Sequence, residues 1–271
     1  MTSQTDRART FAAMHVSGDP LVLPNVWDGG SARVVAAEGA RALATTSAGV
    51  AWSLGFADGN RMTRDDAVEA LARIARVTRL PLTADIERGY GETPDDVAQT
   101  VEAVLATGAV GINLEDSLRP VAEHARRLTA ARDAADRAGV ALFINARVDT
   151  HTLADLGGSA WLDETVERAR AYAEAGASGI FVLGALPADA IAALVAATAL
   201  PVNVAFGPGT LSLAELARSG AARISAGSAV AEDAYGVAAR WAQRMTDVAD
   251  ATPIAPPPLG WGGLNALMAD R

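Results

Sequence analysis

Short apolar runs alternate with longer helix-forming stretches along most of the chain, and this rhythm limits the possible folds more than any other feature. The runs are LVLPNV (21–26), ALATTS (42–47), PLTADI (81–86), GINLED (111–116), ALFINA (141–146), GIFVLG (179–184), PVNVAF (201–206) and RISAGS (223–228). Each is too short for a helix and has the composition of a strand buried on both faces. Between them lie Ala-, Glu- and Arg-rich stretches of helical spacing, such as DDVAQTVEAVLATGA and WLDETVERARAYAEAGA. In AEGARAL, ATGAVGI, RAGVALF, EAGASGI and RSGAARI a glycine stands where a helix should stop, just before a strand. Glycine there accepts the left-handed cap conformation. Eight such units in 271 residues predict an α/β fold, a closed (β/α)8 TIM barrel, ahead of an open doubly wound sheet. Residues 1–250 form the barrel domain in this reading. Residues 251–271 carry three consecutive prolines and then LGWGGLNALM, which reads as a stiff arm leading to an apolar segment.

Charge and composition exclude several classes. A net charge of −9 and a pI near 4.8 argue against nucleic acid, because phosphate binding needs clustered Lys and Arg. Half of the residues are hydrophobic, enough for a large core. The absence of cysteine removes thiolate catalysis and zinc–thiolate sites, and fits a reducing compartment. The opening residues lack an apolar stretch of signal-peptide length, and no segment approaches the ~20 apolar residues of a membrane span. These features predict a cytoplasmic protein with no membrane association.

A barrel puts the C-terminal ends of its strands at the active-site mouth. Here those ends are acidic: Asp85 and Glu87 after the run at 81–86, Glu115 and Asp116 after 111–116, and Arg147 with Asp149 after 141–146. Asp58 lies in the small-residue stretch SAGVAWSLGFADG, read as a loop. Strand alternation aims Asp85 and Glu87 to one side. Crowded carboxylates repel and partly protonate unless a cation compensates them. Oxygen donors with no His or Cys suit Mg2+ or Mn2+. The plain alternative, that single acids cap helices or pair with arginines, does not explain why several strand ends turn acidic together.

The ordered set DIERGYG (85–91), NLEDS (113–117), INARVDT (144–150) and TTSAGVAWSLGFADG resembles the isocitrate lyase and phosphoenolpyruvate mutase superfamily. The resemblance implies a direct Mg2+ ligand at Asp85, with Asp58, Glu87 and Glu115 holding the ion's waters. It implies a carboxylate cradle at Ser47, Ala48 and Gly49, an anion-binding Arg147, and Asn203 near the substrate. It also implies C–C bond cleavage or formation through an enolate of a pyruvate-like 2-oxo acid, and a homo-oligomer, a dimer or tetramer, in which the C-terminal segment docks on a partner barrel. Several departures are visible: Glu87 replaces an Asp, Arg88 stands where Thr is common, and AFGPGTLS only loosely resembles the family's corresponding segment. The Lys-Cys-Gly-His loop common in these lyases is missing after NLEDS, and Gly184 stands near where many members place a substrate-binding Glu.

With the usual cysteine gone, Tyr90 and His151 are the candidate proton carriers. Arg88 either pairs with Glu87 or reaches a second substrate carboxylate, and Trp52 shapes the pocket while Trp27 packs. His15 and His124 read as surface residues. The expected activity is a Mg2+-dependent C–C lyase on a small 2-hydroxy or 2-oxo di- or tricarboxylate, of the isocitrate or methylisocitrate type. A phosphonopyruvate-type mutase or hydrolase is the alternative enzyme, and a non-catalytic 2-oxo-acid binder the alternative class. A phosphosugar barrel enzyme ranks last, because SAGSAVAED is only a faint phosphate loop.

Overall fold

A computed structural model describes residues 3–153, 160–246 and 257–269. Nine strands follow in chain order: β1 (Leu21–Leu23), β2 (Asn25–Val26), β3 (Leu43–Thr45), β4 (Leu82–Asp85), β5 (Gly111–Glu115), β6 (Phe143–Val148), β7 (Gly179–Val182), β8 (Val202–Ala205) and β9 (Arg223–Ser225). Six helices precede β6: α1 (Gln4–Ala13), α2 (Gly29–Ala37), α3 (Ser47–Ser53), α4 (Arg64–Ala75), α5 (Pro94–Ala106) and α6 (Val121–Arg137). The others are α7 (Thr150–Leu153), α8 (Ala160–Glu174), α9 (Ala188–Ala197), α10 (Leu213–Arg218), α11 (Ala229–Thr246) and α12 (Gly260–Ala269).

All strand pairs are parallel, in the order β1-β9-β8-β7-β6-β5-β4-β3-β2, which is an α/β TIM barrel. The run 21–26 expected as one strand is two. Pro24 has no N–H to offer a ladder, so β1 turns to β9 (Leu21 opposite Arg223) while β2 turns to β3 (Asn25 opposite Ala44). The five helix-stop glycines, Gly39, Gly108, Gly139, Gly176 and Gly220, all adopt positive φ, from 70° to 96°. Side-chain caps begin the helices: Thr93 accepts from the Asp96 N–H and Asp96 answers the Thr93 N–H, with Pro94 between them in the first turn.

The apolar core lies between strands and helices, where Ile112, Ile144, Ile180, Val204 and Ile224 on the outer face of the sheet are fully buried. The barrel interior mixes polar side chains with Leu21, Leu23, Phe143 and Phe181, which share the inward face by register. Asn25, Thr83, Asn113, Asn145, Asn203, Arg223 and Ser225 are its buried polar members, linked in part by Asn145–Asn113, Arg223–Asn113 and Asn203–Ser225 hydrogen bonds of 2.9, 3.3 and 3.3 Å. Two of the expected surface histidines are not at the surface. His124 is fully buried on the face of α6 that meets α8, its ring edge-on to Tyr172 at 4.8 Å, and His15 stacks on Phe143 at 3.9 Å. The helical period carries His124 onto the same stripe as Leu128 and Ala131, and that stripe decides its burial.

SAGVAWS is the helix α3 and not a loop, capped by the Thr46 side chain. At the far end, α12 packs on α2 of its own chain, where the Arg33 guanidinium donates to the Leu267 carbonyl (Nε, 2.8 Å). The expected boundary at 250 and most of the proline arm, through residue 256, lie outside the described residues. Among the described residues no helix is long and apolar enough to cross a membrane.

Candidate active site

The mouth is built from the turns that follow β3, β4, β5 and β6. β4 ends at Asp85, whose N–H donates to Thr45 Oγ1 (2.9 Å) on β3. Its carboxylate accepts two backbone N–H groups, from Glu87 (3.2 Å) and from Ser47 at the start of α3 (3.3 Å). Glu87 does reach the same side as Asp85, but not through strand alternation. The strand has already ended, and a left-handed backbone at Glu87 (φ +48°) folds its carboxylate back over the mouth. There it accepts the Asn60 N–H, while Asn60 Oδ1 accepts the Arg88 N–H at 3.4 Å. This brings the 58–60 loop, with Asp58, against the 87–88 turn.

Across the mouth, Glu115 and Arg147 sit opposite each other on β5 and β6 and pair at 2.9 Å. Arg147 Nε also pairs with Asp149 at 2.7 Å. Arg88 is paired with Glu115 (3.4 Å) and not with Glu87, and Ser117 Oγ donates to the same Glu115 oxygen at 2.9 Å. Glu115 is thus fully engaged by side chains. Asp116, expected at the mouth, is turned away from it: fully buried, it accepts from Arg168 (3.0 Å) and from the Tyr172 hydroxyl (2.8 Å). Its other oxygen takes the Asp149 N–H (3.2 Å), which fixes the base of the turn that carries Arg147 and Asp149.

Electrostatics follow from this crowding. Burial pushes the Asp85 carboxyl up, with Glu115 adding to the shift and Arg147 opposing it. Burial also pushes Glu87 up to about 7, helped by the charges of Asp85, Asp58 and Glu115 and opposed by the Asn60 N–H. The Tyr90 phenol is buried against Glu87, Asp85 and Asp58 and is driven well above its usual range, so it keeps its proton at neutral pH. The guanidinium of Arg147 is held charged by Asp149, Glu115 and Asp85 against the cost of burial.

Strain marks the same place. Among the described residues, the non-glycine ones with left-handed backbone are Asn60, Glu87, Tyr90, Ser117 and Leu118, and every one belongs to a mouth loop. Such conformations cost on the order of 1–3 kcal/mol each and persist where surrounding contacts impose them, most often at functional sites. Sequence reading missed this ring, together with Asn60, Thr45 and Ser117. Only the turn-forming asparagine in DGN hinted at it.

The other expected residues are more spread out. Ser47, Ala48 and Gly49 form the buried first turn of α3, where Gly49 is packed so closely that a Cβ would lie 2.7 Å from Thr46 Cγ2 and 2.9 Å from Trp27 Cβ. Trp52 points to Tyr235 on α11, ring centroids 6.2 Å apart. Asn203 is buried inside the barrel beside Ser225. His151 sits beyond β6, edge-on to Trp161 at 4.7 Å, with Nδ1 buried and unpartnered. A Cβ on Gly184 would lie 2.3 Å from that Nδ1, so the missing side chain at 184 makes the seat for the imidazole.

Among the described residues no group of three or more His, Asp or Glu side chains is arranged to enclose a metal ion by itself. The donor set nevertheless fits a hydrated hard cation, which takes one or two carboxylates and keeps its waters. The Asp85 oxygens meet only weak backbone donors, Glu87 Oε1 is buried without a partner, and the acids' raised affinity for protons is what an added positive charge would reverse.

The fold and the sequence together place the chain in a defined family. Residues 11–246 match the family model described as phosphoenolpyruvate phosphomutase, and the chain belongs to that family, within the superfamily that includes isocitrate lyase. An uncharacterized protein of Mycobacterium tuberculosis (strain ATCC 25618 / H37Rv) is 38% identical over 238 residues, 88% of this chain and 89% of that one. The oxaloacetate decarboxylase of Rhodopseudomonas palustris (strain HaA2) is 32% identical over 166 residues, 59% of this chain and 56% of that enzyme. Among solved structures, a candidate phosphonomutase from Burkholderia cenocepacia J2315 superposes with a TM-score of 0.85 at 50% identity, covering 88% of this chain and 99% of that one.

Proposed function

We propose that the chain is a divalent-cation-dependent lyase, with Mg2+ or Mn2+ as the cation, that breaks a C–C bond in a small 2-oxo or 2-hydroxy di- or tricarboxylate. The observation that carries this reading is the strained mouth where Asp58, Asp85 and Glu87 crowd together opposite Arg147. Asp85 would hold the cation directly, with Asp58 and Glu87 on its waters and Glu115 bridging to Arg147. When bound, the cation would supply positive charge for the oxyanion that develops as the bond breaks. Arg147, locked between Glu115 and Asp149, presents a fixed guanidinium to an anionic carboxylate. Ser47, Ala48 and Gly49 border the same end, with Arg88, Trp52 and Asn203 as the remaining substrate-facing candidates. From a 2-oxo acid the bonding electron pair would pass to the enolate of a pyruvate-like product. From a 2-hydroxy acid the hydroxyl would lose its proton, its carbon would close to a carbonyl, and the pair would leave with the other carboxylate fragment, which takes up a proton. Tyr90, still protonated at neutral pH, is the first candidate proton source. His151 is the second candidate.

The missing cysteine loop favours a substrate whose departing fragment needs no proton. Decarboxylation of a 2-oxo dicarboxylate meets that condition, and an oxaloacetate decarboxylase is among the relatives. The 50% identity to a candidate phosphonomutase supports the second reading, a phosphonopyruvate-type mutase or hydrolase using the same charge stabilisation.

The test is product analysis with Mg2+ or Mn2+ on oxaloacetate, isocitrate, 2-methylisocitrate and phosphonopyruvate. Pyruvate or glyoxylate supports the lyase; phosphate or phosphoenolpyruvate supports the alternative. Tight 2-oxo-acid binding with no turnover of any substrate would leave a binding protein. An Asp85→Ala chain that still takes up Mn2+ with undiminished heat would overturn the cation assignment.

The functional unit in this reading is a cytoplasmic homo-oligomer. Only Ala231 of the 18-residue α11 is buried, while Tyr235, Val237, Trp241 and Met245 are exposed. Val22, on the outer face of β1 where a barrel helix would cover it, is 41% exposed. A helix with exposed apolar residues along most of its length and a strand without a cover complement each other between two copies.

A further inference from the structure

The cation site rests on one turn, residues 86–92, that supports itself poorly. Glu87, Gly89 and Tyr90 all have positive φ, at +48°, +85° and +51°. Its carbonyls are instead gripped by side chains from the helices behind it. Thr100 on α5 donates to the Gly89 carbonyl at 2.7 Å. Arg127 on α6 donates to three more: Nη1 to Glu92 (2.8 Å), and Nη2 to Gly91 (2.8 Å) and to Arg88. Arg127 is fully buried, and its Nε has no partner.

A guanidinium is an expensive way to fill space, since burying it costs several kcal/mol and an aliphatic side chain would pack as well. Its flat fork, however, reaches spaced carbonyls from two separate nitrogens, whereas the donors of a lysine or an amide all radiate from one. We propose that Arg127 is the positioning residue that holds the 86–92 turn in the conformation able to bind the cation. The proposal rests on the cation reading above for its functional meaning, and on the hydrogen bonds alone for its structural part.

The same helix supplies a built-in control. Arg132 also bonds carbonyls, those of Leu142 (2.8 Å) and Gly176 (3.1 Å), but these precede β6 and β7 and so lie at the opposite end of the barrel. The full chain is made as wild type, Arg127→Lys, Arg127→Gln and Arg132→Lys. Each is measured by Mn2+ calorimetry, by thermal melting and by hydrogen exchange of the 87–92 amides.

Loss of an outer partner to a metal ligand usually weakens affinity by about 10- to 100-fold. Arg127→Lys should therefore lose about tenfold in Mn2+ affinity and Arg127→Gln more, with faster exchange confined to the turn. Arg132→Lys should lower the melting temperature comparably and leave both readouts unchanged. The proposal is overturned if the Arg127 variants melt lower yet bind Mn2+ and protect the turn as wild type does. Should Arg127→Gln not fold, Arg127→Lys decides alone. If wild type itself takes up no Mn2+, the cation reading fails and the exchange of the turn still decides the clamp.

Discussion

Glu87 and Asp85 lie two positions apart with little to separate their charges except Arg147 on the far side of the mouth. A carboxyl pushed up to about 7 in the folded chain binds its proton more tightly there than when unfolded. In the metal-free protein it therefore contributes stability at low pH that is lost as pH climbs from 4.5 through 7. Glu87→Gln keeps the shape and removes the charge. At pH 8 without metal this variant should melt above wild type, by about 2–4 °C for each kcal/mol of repulsion removed. With Mn2+ present the order should reverse, because a water-holding carboxylate is gone; paired melting curves read both signs. The acids could be read from the strand-end pattern because a charged residue after an apolar run is conspicuous. Their fine placement could not, since it depends on left-handed backbone at Glu87 and on the choice of Arg88 and Ser117 to engage Glu115. Asp116 shows the same limit. Nothing in NLEDS says that one acid faces the mouth and the next turns outward to Arg168 and Tyr172.

His124 is buried on α6 and His15 is packed just past the end of α1, and both are held neutral. Burial, with Arg127, Arg168 and Arg119 nearby, pushes His124 down from 6.5 to about 3; burial, with Arg223, pushes His15 down to about 4. A histidine with a depressed folded value stabilises fully above pH 6.5 and loses that contribution as pH falls toward the folded value. Each should cost about 1.4 kcal/mol per pH unit below 6.5. Urea denaturation between pH 7 and 5 should show His124→Phe with a slope shallower by about one proton than wild type. At α3, Gly49→Ala should destabilise by about 1–3 kcal/mol, because the new methyl meets Thr46 and Trp27 inside 3 Å. The same denaturation experiment checks it. Elements with a strong local signal, such as α5 with its Thr-Pro-Asp-Asp start, were legible in advance. α3 was not: seven residues, five of them Ser, Ala or Gly, carry no amphipathic stripe, and it is helical because Thr46 caps it and Trp27 and Ala231 pack on Gly49.

For the whole molecule, the alternation of strand and helix and the parallel barrel were open to inference from the apolar rhythm, which counted eight strands; the ninth arises because Pro24 divides the first run. The polar share of the barrel's filling was not legible there, because Asn113, Asn145 and Asn203 look in sequence like interruptions of apolar strands. Assembly is the prediction at this scale. Trp241→Glu on α11 should shift the protein toward monomer in sedimentation, and should lower its melting temperature if the helix covers a partner's β1. The divided run around Pro24 has one further consequence. Among the described strands β1 pairs with β9 alone, so residue 21 waits for residue 223 before the ring can shut. During synthesis the earlier strands assemble as an open ribbon with β1 unattached, and closure is a late event of very high contact order. A chain interrupted before β9 would present a bare parallel edge, a template for joining other nascent copies.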